Sequence, residues 1–432
     1  MTISNDFIQK KDLKIIRGNL IWSRDLEHLE VLEHGYLVIE QGICHGTYAC
    51  LPDIYAGLSV ADYGDRLIIP GLIDLHLHAS QYAFRGLGMD MELIEWLNVN
   101  TFPEEAKYAD LEYAKRAYTQ FTENLRRGAT TRACVFATQH REATELLMDL
   151  LEESGLKTMV GKVNMDRNAP EELCEKSAEI SASDTIRWLE ECQGKYKHTQ
   201  PIITPRFIPS CTDELMVKLS QIRQDYKLSV QSHLSENLKE IEWVRELCPE
   251  AKSYADAYDR FGILGGPGHE IMAHCVYLTE EEETLLLEKQ VYIAHCPDSN
   301  TNLASGIAPV RRFLDRGMRV GLGTDIAGGY SDSIFSQMAE AIRVSKLRWR
   351  LSDESLRPLT LAEAFYLGTM GGGSFFGQVG SFLDGYECDA IVIDDSKLQA
   401  PYPMTPLQRL ERVMYLPEKC EIISKYVAGN EL

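Results

Sequence analysis

Basic residues are in short supply: 44 Lys and Arg stand against 65 Asp and Glu, giving a formal net charge of −21 and a pI near 5.0. A nucleic acid backbone or an anionic membrane surface is held by clustered cations, so neither is an expected partner. Long apolar runs are missing too, and residues 1–11 lack the hydrophobic stretch behind a basic start that marks a secretory leader. The expected location is the cytoplasm. The 11 cysteines include no Cys-x-x-Cys pair, which argues against a disulfide framework and against a cysteine zinc cluster. Cys275 and Cys296 are read as small packed hydrophobes. No internal repeat, low-complexity tract or flexible linker divides the chain.

What is present is organised around histidine. The run Pro70-Gly71-Leu72-Ile73-Asp74-Leu75-His76-Leu77-His78 has strand character and ends in two histidines one residue apart. Alternate residues of a strand share a face, so His76 and His78 can address one cation. Three further apolar segments each carry a polar group at the C-terminal end: Leu228–Glu236 with His233 and Glu236, Glu270–Cys275 with His274, and Arg319–Asp325 with Asp325. A lone histidine is more often a hydrogen-bonded core residue than a ligand. Five of these groups, His76, His78, His233, His274 and Asp325, at the ends of four strands read instead as one mononuclear site for zinc, with ferrous iron the alternative.

From Leu67 onward, buried strand candidates alternate with amphipathic helical stretches, the pattern of a parallel sheet with helical crossovers. The strands are predicted at Leu67–His78, Thr130–Phe136, Thr158–Met165, Ile202–Ile208, Leu228–Leu234, Glu270–Val276, Val291–Cys296 and Arg319–Thr324. Helices are predicted at Arg141–Ser154, Asp213–Gln224, Leu238–Leu247, Thr279–Lys289 and Pro309–Arg316. Eight such units imply an α/β fold, a (β/α)8 TIM barrel, with the site at its C-terminal mouth. The chain ends fall outside that rhythm. Lys14–Trp22, Gly35–Ile39, Gly42–Tyr48 and Glu387–Asp394 read as strands of a small discontinuous β-sandwich, which sets domain bounds of 1–69, 70–384 and 385–432.

A cation held by His76, His78, His233 and Asp325 would lower the pKa of a bound water towards ~7 and create a nucleophile at neutral pH. Four ligands exceed the three usual in catalytic zinc sites, so Asp325 is expected to bind weakly and also to take the water's proton. Glu236, three residues after His233, is placed to shuttle protons, with a pKa raised by burial. Its blander role is an acid near a helix N-terminus after Ser235. His274 is expected to orient the water or stabilise an addition intermediate. A binuclear site bridged by a carboxylated lysine is excluded, because the fourth strand carries no lysine and Lys162, on the third, reads as a surface or interlayer residue. A Pro-Cys-x-x-Cys motif, the mark of an unrelated zinc deaminase fold, is also absent.

Together the residues from Pro70 to His78, Gly323-Thr324-Asp325 and the returning Asp389–Asp394 strand resemble the amidohydrolase superfamily. Within it, His78–Tyr82, Glu95–Leu97, Thr101–Pro103, Pro205–Phe207, Gln231–Asn237 and Gly323–Tyr330 are similar to the guanine deaminase family. That resemblance implies hydrolysis of the exocyclic amine of a purine, in a homodimer, in purine catabolism or salvage. It implies Gln81, Arg206 and Phe207 as the base-binding set, beside His233, Glu236 and Asp325. Their chemistry suits the roles: an amide both donates and accepts, a guanidinium donates to a carbonyl, and a ring stacks. For Phe207, ordinary barrel packing is an equal alternative. Other expectations are a related hydrolase of 8-oxoguanine, a pterin or a triazine, or a barrel without catalysis. Gly86–Thr101 is a candidate lid, and Arg85 and the glycine-rich Gly262–Gly268 have no assigned role.

Overall fold

The structure, a computed structural model, describes residues 13–432; residues 1–12, the start of the expected N-terminal unit, lie outside the described residues. Four strands come first: β1 (Leu13–Ser23), β2 (Leu29–Glu40), β3 (Ile43–Tyr48) and β4 (Ala61–Pro70). Ten short strands follow: β5 (Leu72–His78), β6 (Thr130–Phe136), β7 (Lys157–Gly161), β8 (Val163–Asn164), β9 (Thr199–Pro201), β10 (Thr204–Pro205), β11 (Val230–Leu234), β12 (Glu270–His274), β13 (Tyr292–His295) and β14 (Arg319–Leu322). The chain closes with β15 (Ala390–Asp394), β16 (Glu421–Val427) and β17 (Asn430–Glu431).

The fold is mixed α/β. Both chain ends join one seven-stranded sheet of order β17-β16-β15-β4-β1-β2-β3, with β4 and β15 antiparallel from Pro70↔Ala390 to Leu67↔Ile393. Period-two alternation splits its faces. Ile16, Ile68, Ala390, Val392 and Tyr426 fill a core belonging to this sheet, while Leu67, Ile69, Ile391 and Ile393 turn to the large central core.

The remaining strands form two parallel four-stranded sheets, β5-β6-β7-β9 and β11-β12-β13-β14, and a separate β8-β10 pair. An isolated parallel bridge, Ile203↔Val230, links the first sheet's side to the second. On the other side the Asp325 N–H donates to the His76 carbonyl at 2.8 Å.

Several sequence expectations need correction. Leu67–His78 is two strands, because the chain changes sheets at Gly71. The Gly71 N–H donates to the Asp389 carbonyl, whereas the Leu72 N–H donates to the Ala129 carbonyl. A Cβ at Gly71 would lie 2.2 Å from Thr131, so only glycine permits the crossing. Thr158–Met165 and Ile202–Ile208 are also interrupted, and Pro205 within the second removes an N–H donor that a continuous ladder would use. Helices Arg141–Ser154 and Leu238–Leu247 fall where the periodicity predicts them, and the other three differ by one or two residues at their ends. No helix among the described residues is long and apolar enough to cross a membrane.

Candidate active site

The β5 strand delivers His76 and His78 to one end of the parallel strands, and β11 and β12 bring His233 and His274 to the same end. In the β11–β12 register His274 lies opposite Leu234, one residue beyond His233. Asp325 follows β14 and completes the cluster: its Oδ1 is 3.1 Å from His76 Nε2 and 3.3 Å from His78 Nε2. His233 Nε2 lies 3.3 Å from His78 Nε2. Non-glycine residues occupy the left-handed region at Ser235 (φ 49°), His274 (φ 73°), Cys275 (φ 50°) and Asp325 (φ 45°). Such backbone concentrates where side chains must converge on one point.

Hydrogen bonding outside the cluster fixes its polarity. His233 Nδ1 sits 2.6 Å from the Arg206 carbonyl, and His274 Nδ1 sits 2.8 Å from Asn300 Oδ1. A carbonyl oxygen can only accept, so each Nδ1 donates and each Nε2 faces the cluster. Burial lowers the pKa of His76, brings His78 down to about 4, and takes His233 well below its ordinary value, so these imidazoles are neutral at pH 7. Burial opposes charge on Asp325, yet its pKa lies well below the ordinary carboxylate value; His76 and His78 stand against its Oδ1 and the Ser299 hydroxyl donates to its Oδ2.

Glu236 occupies the next position outward and is buried. Its Oε1 accepts from the Ser305 hydroxyl at 2.9 Å, and its Oε2 is 3.5 Å from His274 Nε2. Burial, then the Asp325 charge, push its pKa up to about 8. Glu236 also lies beside a helix N-terminus, one residue before its cap. Helix Leu238–Leu247 is capped by Asn237 with Glu240 completing the capping box, and Glu236 precedes the cap.

Above the cluster lies a cavity of about 500 Å³, its open mouth included, lined by His78, Gln81, Leu93, Ile94, Trp96, Leu97, Arg206, Phe207, His233, Glu236, Glu240, His274, Leu303 and Asp325. Phe207 meets Trp243 edge to face at 6.3 Å and still lines the cavity. Arg85 is turned away, its guanidinium 3.9 Å from the Tyr82 ring centre and donating to the Tyr82 carbonyl. Lys162 is fully buried and pairs with Glu175 at 2.6 Å, which removes the surface alternative for it.

Sequence reasoning missed Glu105, Ser299, Asn300 and Ser305. Each lies outside the strands, and no local pattern signals which side chain its loop or helix will meet.

The donor set fits a divalent cation. Both ring nitrogens of His76 and Nδ1 of His78 are buried with no hydrogen-bond partner, and two ligand triads, His76–His233–His274 and His76–His78–Asp325, each gather their atoms within 4.8 Å. Buried polar atoms are rarely left unpaired, and neutral imidazoles with one carboxylate suit zinc or ferrous iron.

Residues 67–432 match the model of the amidohydrolase family. A guanine deaminase of Dictyostelium discoideum is 37% identical over 447 residues, covering 98% of each chain. One from Mus musculus is 37% identical over 379 residues, covering 85% of this chain and 83% of its own. The crystal structure of guanine deaminase from C. acetobutylicum with guanine bound in the active site superposes with a TM-score of 0.94 at 44% identity, covering 97% of this chain and 100% of that one. By family match, full-length similarity and fold together, the chain belongs to the amidohydrolase family, beside the guanine deaminases within it.

Proposed function

We propose that this protein is a guanine deaminase, a hydrolase that converts guanine and water to xanthine and ammonia. The observation that carries the reading is the cavity itself, which sets Gln81, Arg206 and Phe207 on its wall and Glu236 beside the imidazole–carboxylate cluster on its floor. His76, His78, His233 and Asp325 would hold the cation, zinc or ferrous iron. When bound, that ion supplies a nucleophile by making water acidic enough to ionise near neutral pH.

The chain's own groups do the rest. Asp325, ionised and braced by Ser299, accepts the proton of the attacking water. Glu236, its pKa raised by burial, delivers a proton to ring nitrogen N3 as C2 becomes tetrahedral. His274 Nε2, 3.5 Å from Glu236 Oε2 and 3.9 Å from Asp325 Oδ2, orients the water between them. As the tetrahedral carbon collapses, the proton held by Asp325 passes to the departing amine, which leaves as ammonia, and the C2 hydroxyl proton returns to Glu236 as the carbonyl forms. Gln81 and Arg206 hold the base by hydrogen bonds, and Phe207 contributes an aromatic wall.

The same reading extends to architecture and context. The two parallel sheets form one (β/α)8 barrel over residues 70–384, supported by the Ile203↔Val230 bridge on one side and the Asp325–His76 backbone bond on the other. Residues 13–69 and 385–432 make a β-sandwich beside it, with Gly86–Thr101 as a lid that supplies Leu93, Ile94, Trp96 and Leu97 to the pocket. The resemblance to guanine deaminases carries with it a cytoplasmic homodimer in purine catabolism. Sedimentation tests the dimer, and hydrogen exchange with and without a purine inhibitor tests the lid: unchanged exchange in Gly86–Thr101 would remove it.

The activity is tested by ammonia release from guanine, adenine, cytosine, 8-oxoguanine, a pterin and a triazine. Preferential conversion of guanine to xanthine is expected. Turnover of another amine alone would overturn the roles of Gln81, Arg206 and Phe207, and metal-loaded protein with no turnover would point to a barrel without catalysis.

A further inference from the structure

The residue that touches both base-binding side chains does not itself line the cavity. Glu105, 3% exposed, ends the short helix Phe102–Glu105. Its Oε1 accepts from Gln81 Nε2 at 2.9 Å and its Oε2 accepts from Arg206 Nη1 at 2.7 Å. On the far side of the amide, Gln81 Oε1 accepts from the Ala327 N–H at 3.1 Å. The same helix lays the Phe102 ring under the Arg206 guanidinium, 5.4 Å from its centre.

These contacts lock a direction. A carboxylate can only accept and a backbone N–H can only donate, so a reversed Gln81 amide would face acceptor to acceptor at Glu105 and donor to donor at Ala327. The Gln81 amide nitrogen and the guanidinium both keep N–H groups that Glu105 does not use. That wall of the pocket therefore presents N–H donors fixed by Glu105. It matches a purine with a carbonyl oxygen at C6 and opposes one with an amine there.

We propose that Glu105 is a positioning residue that sets the hydrogen-bond polarity of the pocket and thereby selects substrates with an oxygen at C6. The proposal rests on the guanine deaminase reading. Glu105→Gln leaves one accepting oxygen for two donors, so either the amide direction or the guanidinium position is released.

The experiment is the ratio of kcat/KM for guanine to that for 2-aminopurine, which keeps the C2 amine and lacks the C6 oxygen. The native ratio is expected to be at least about 100. In Glu105→Gln, guanine should lose about 10- to 100-fold, mainly in KM, with 2-aminopurine within about threefold of native, so the ratio collapses. Glu105→Asp, which keeps both oxygens, should recover part of it and serves as the test if the glutamine variant does not fold. Equal losses on both substrates, as a merely structural residue would give, or an unchanged ratio, would overturn the proposal. Native protein inactive on guanine would overturn the functional reading instead.

Discussion

The two ends of the parallel strands treat buried polar groups in opposite ways. At the C-terminal end, His76 keeps two ring nitrogens and His78 one without a partner, and Glu236 is held near pKa 8. At the N-terminal end the buried charges are matched. Arg132 makes a two-pronged contact with Asp389 at 2.8 and 3.0 Å and also pairs with Glu387 at 2.9 Å. Arg223, fully buried, pairs with Glu270 and donates to the Leu228 and Ile263 carbonyls. The glycine-rich stretch Gly262–Gly268 wraps this pair, since a Cβ at Gly266 would sit 2.6 Å from the guanidinium. One end of the strands thus pairs its buried charges, while the other keeps neutral imidazole nitrogens without partners.

That contrast can be broken from either end. The largest effect belongs to His233→Ala, which should abolish metal binding and turnover together, by more than about 10³-fold in kcat, while the urea midpoint of the metal-free protein moves little. Elemental analysis beside the assay checks both. Glu236→Gln comes next: metal stays bound and kcat falls about 10²- to 10⁴-fold. Near-native turnover would remove Glu236 from proton transfer.

At the opposite end the currency is stability. Arg132→Met strands the buried Asp389 charge and should destabilise by about 3–5 kcal/mol in urea unfolding, with kcat of the folded protein unchanged. A large loss of kcat at equal folded fraction would erase the distinction between the two ends.

The smallest effect, counted per pH unit, is a slope. Lys425 is 4% exposed, donates to the Leu125 and Thr130 carbonyls, and is lowered by burial to about 7. Its unfolded pKa is about 10.4, so between these values the unfolded chain binds more protons and stability rises with pH, by up to about 1.4 kcal/mol per unit. Denaturation series across pH 7 to 10 should show that rise in native protein and a flatter profile in Lys425→Met; parallel profiles would refute it.

How much of this was legible in the sequence follows from the same geometry. His76, His78, His233, His274 and Asp325 could be read because strands place alternate residues on one face and parallel strands align their C-terminal ends. Gln81, Arg206 and Phe207 stood out through family resemblance, since no periodicity marks them. Glu105 was invisible: it sits 24 residues from Gln81 and 101 from Arg206, and only the packing of a short helix against the mouth joins them. The break at Gly71 was missed for a related reason, because an unbroken apolar run does not reveal that its halves pair with different sheets.

The most direct measurement is xanthine formation from guanine by chelator-stripped protein, before and after one equivalent of zinc or ferrous iron is restored. Silence before and turnover after is the result expected of a mouth whose unpaired imidazoles await a cation. Full turnover in the metal-free protein would contradict it.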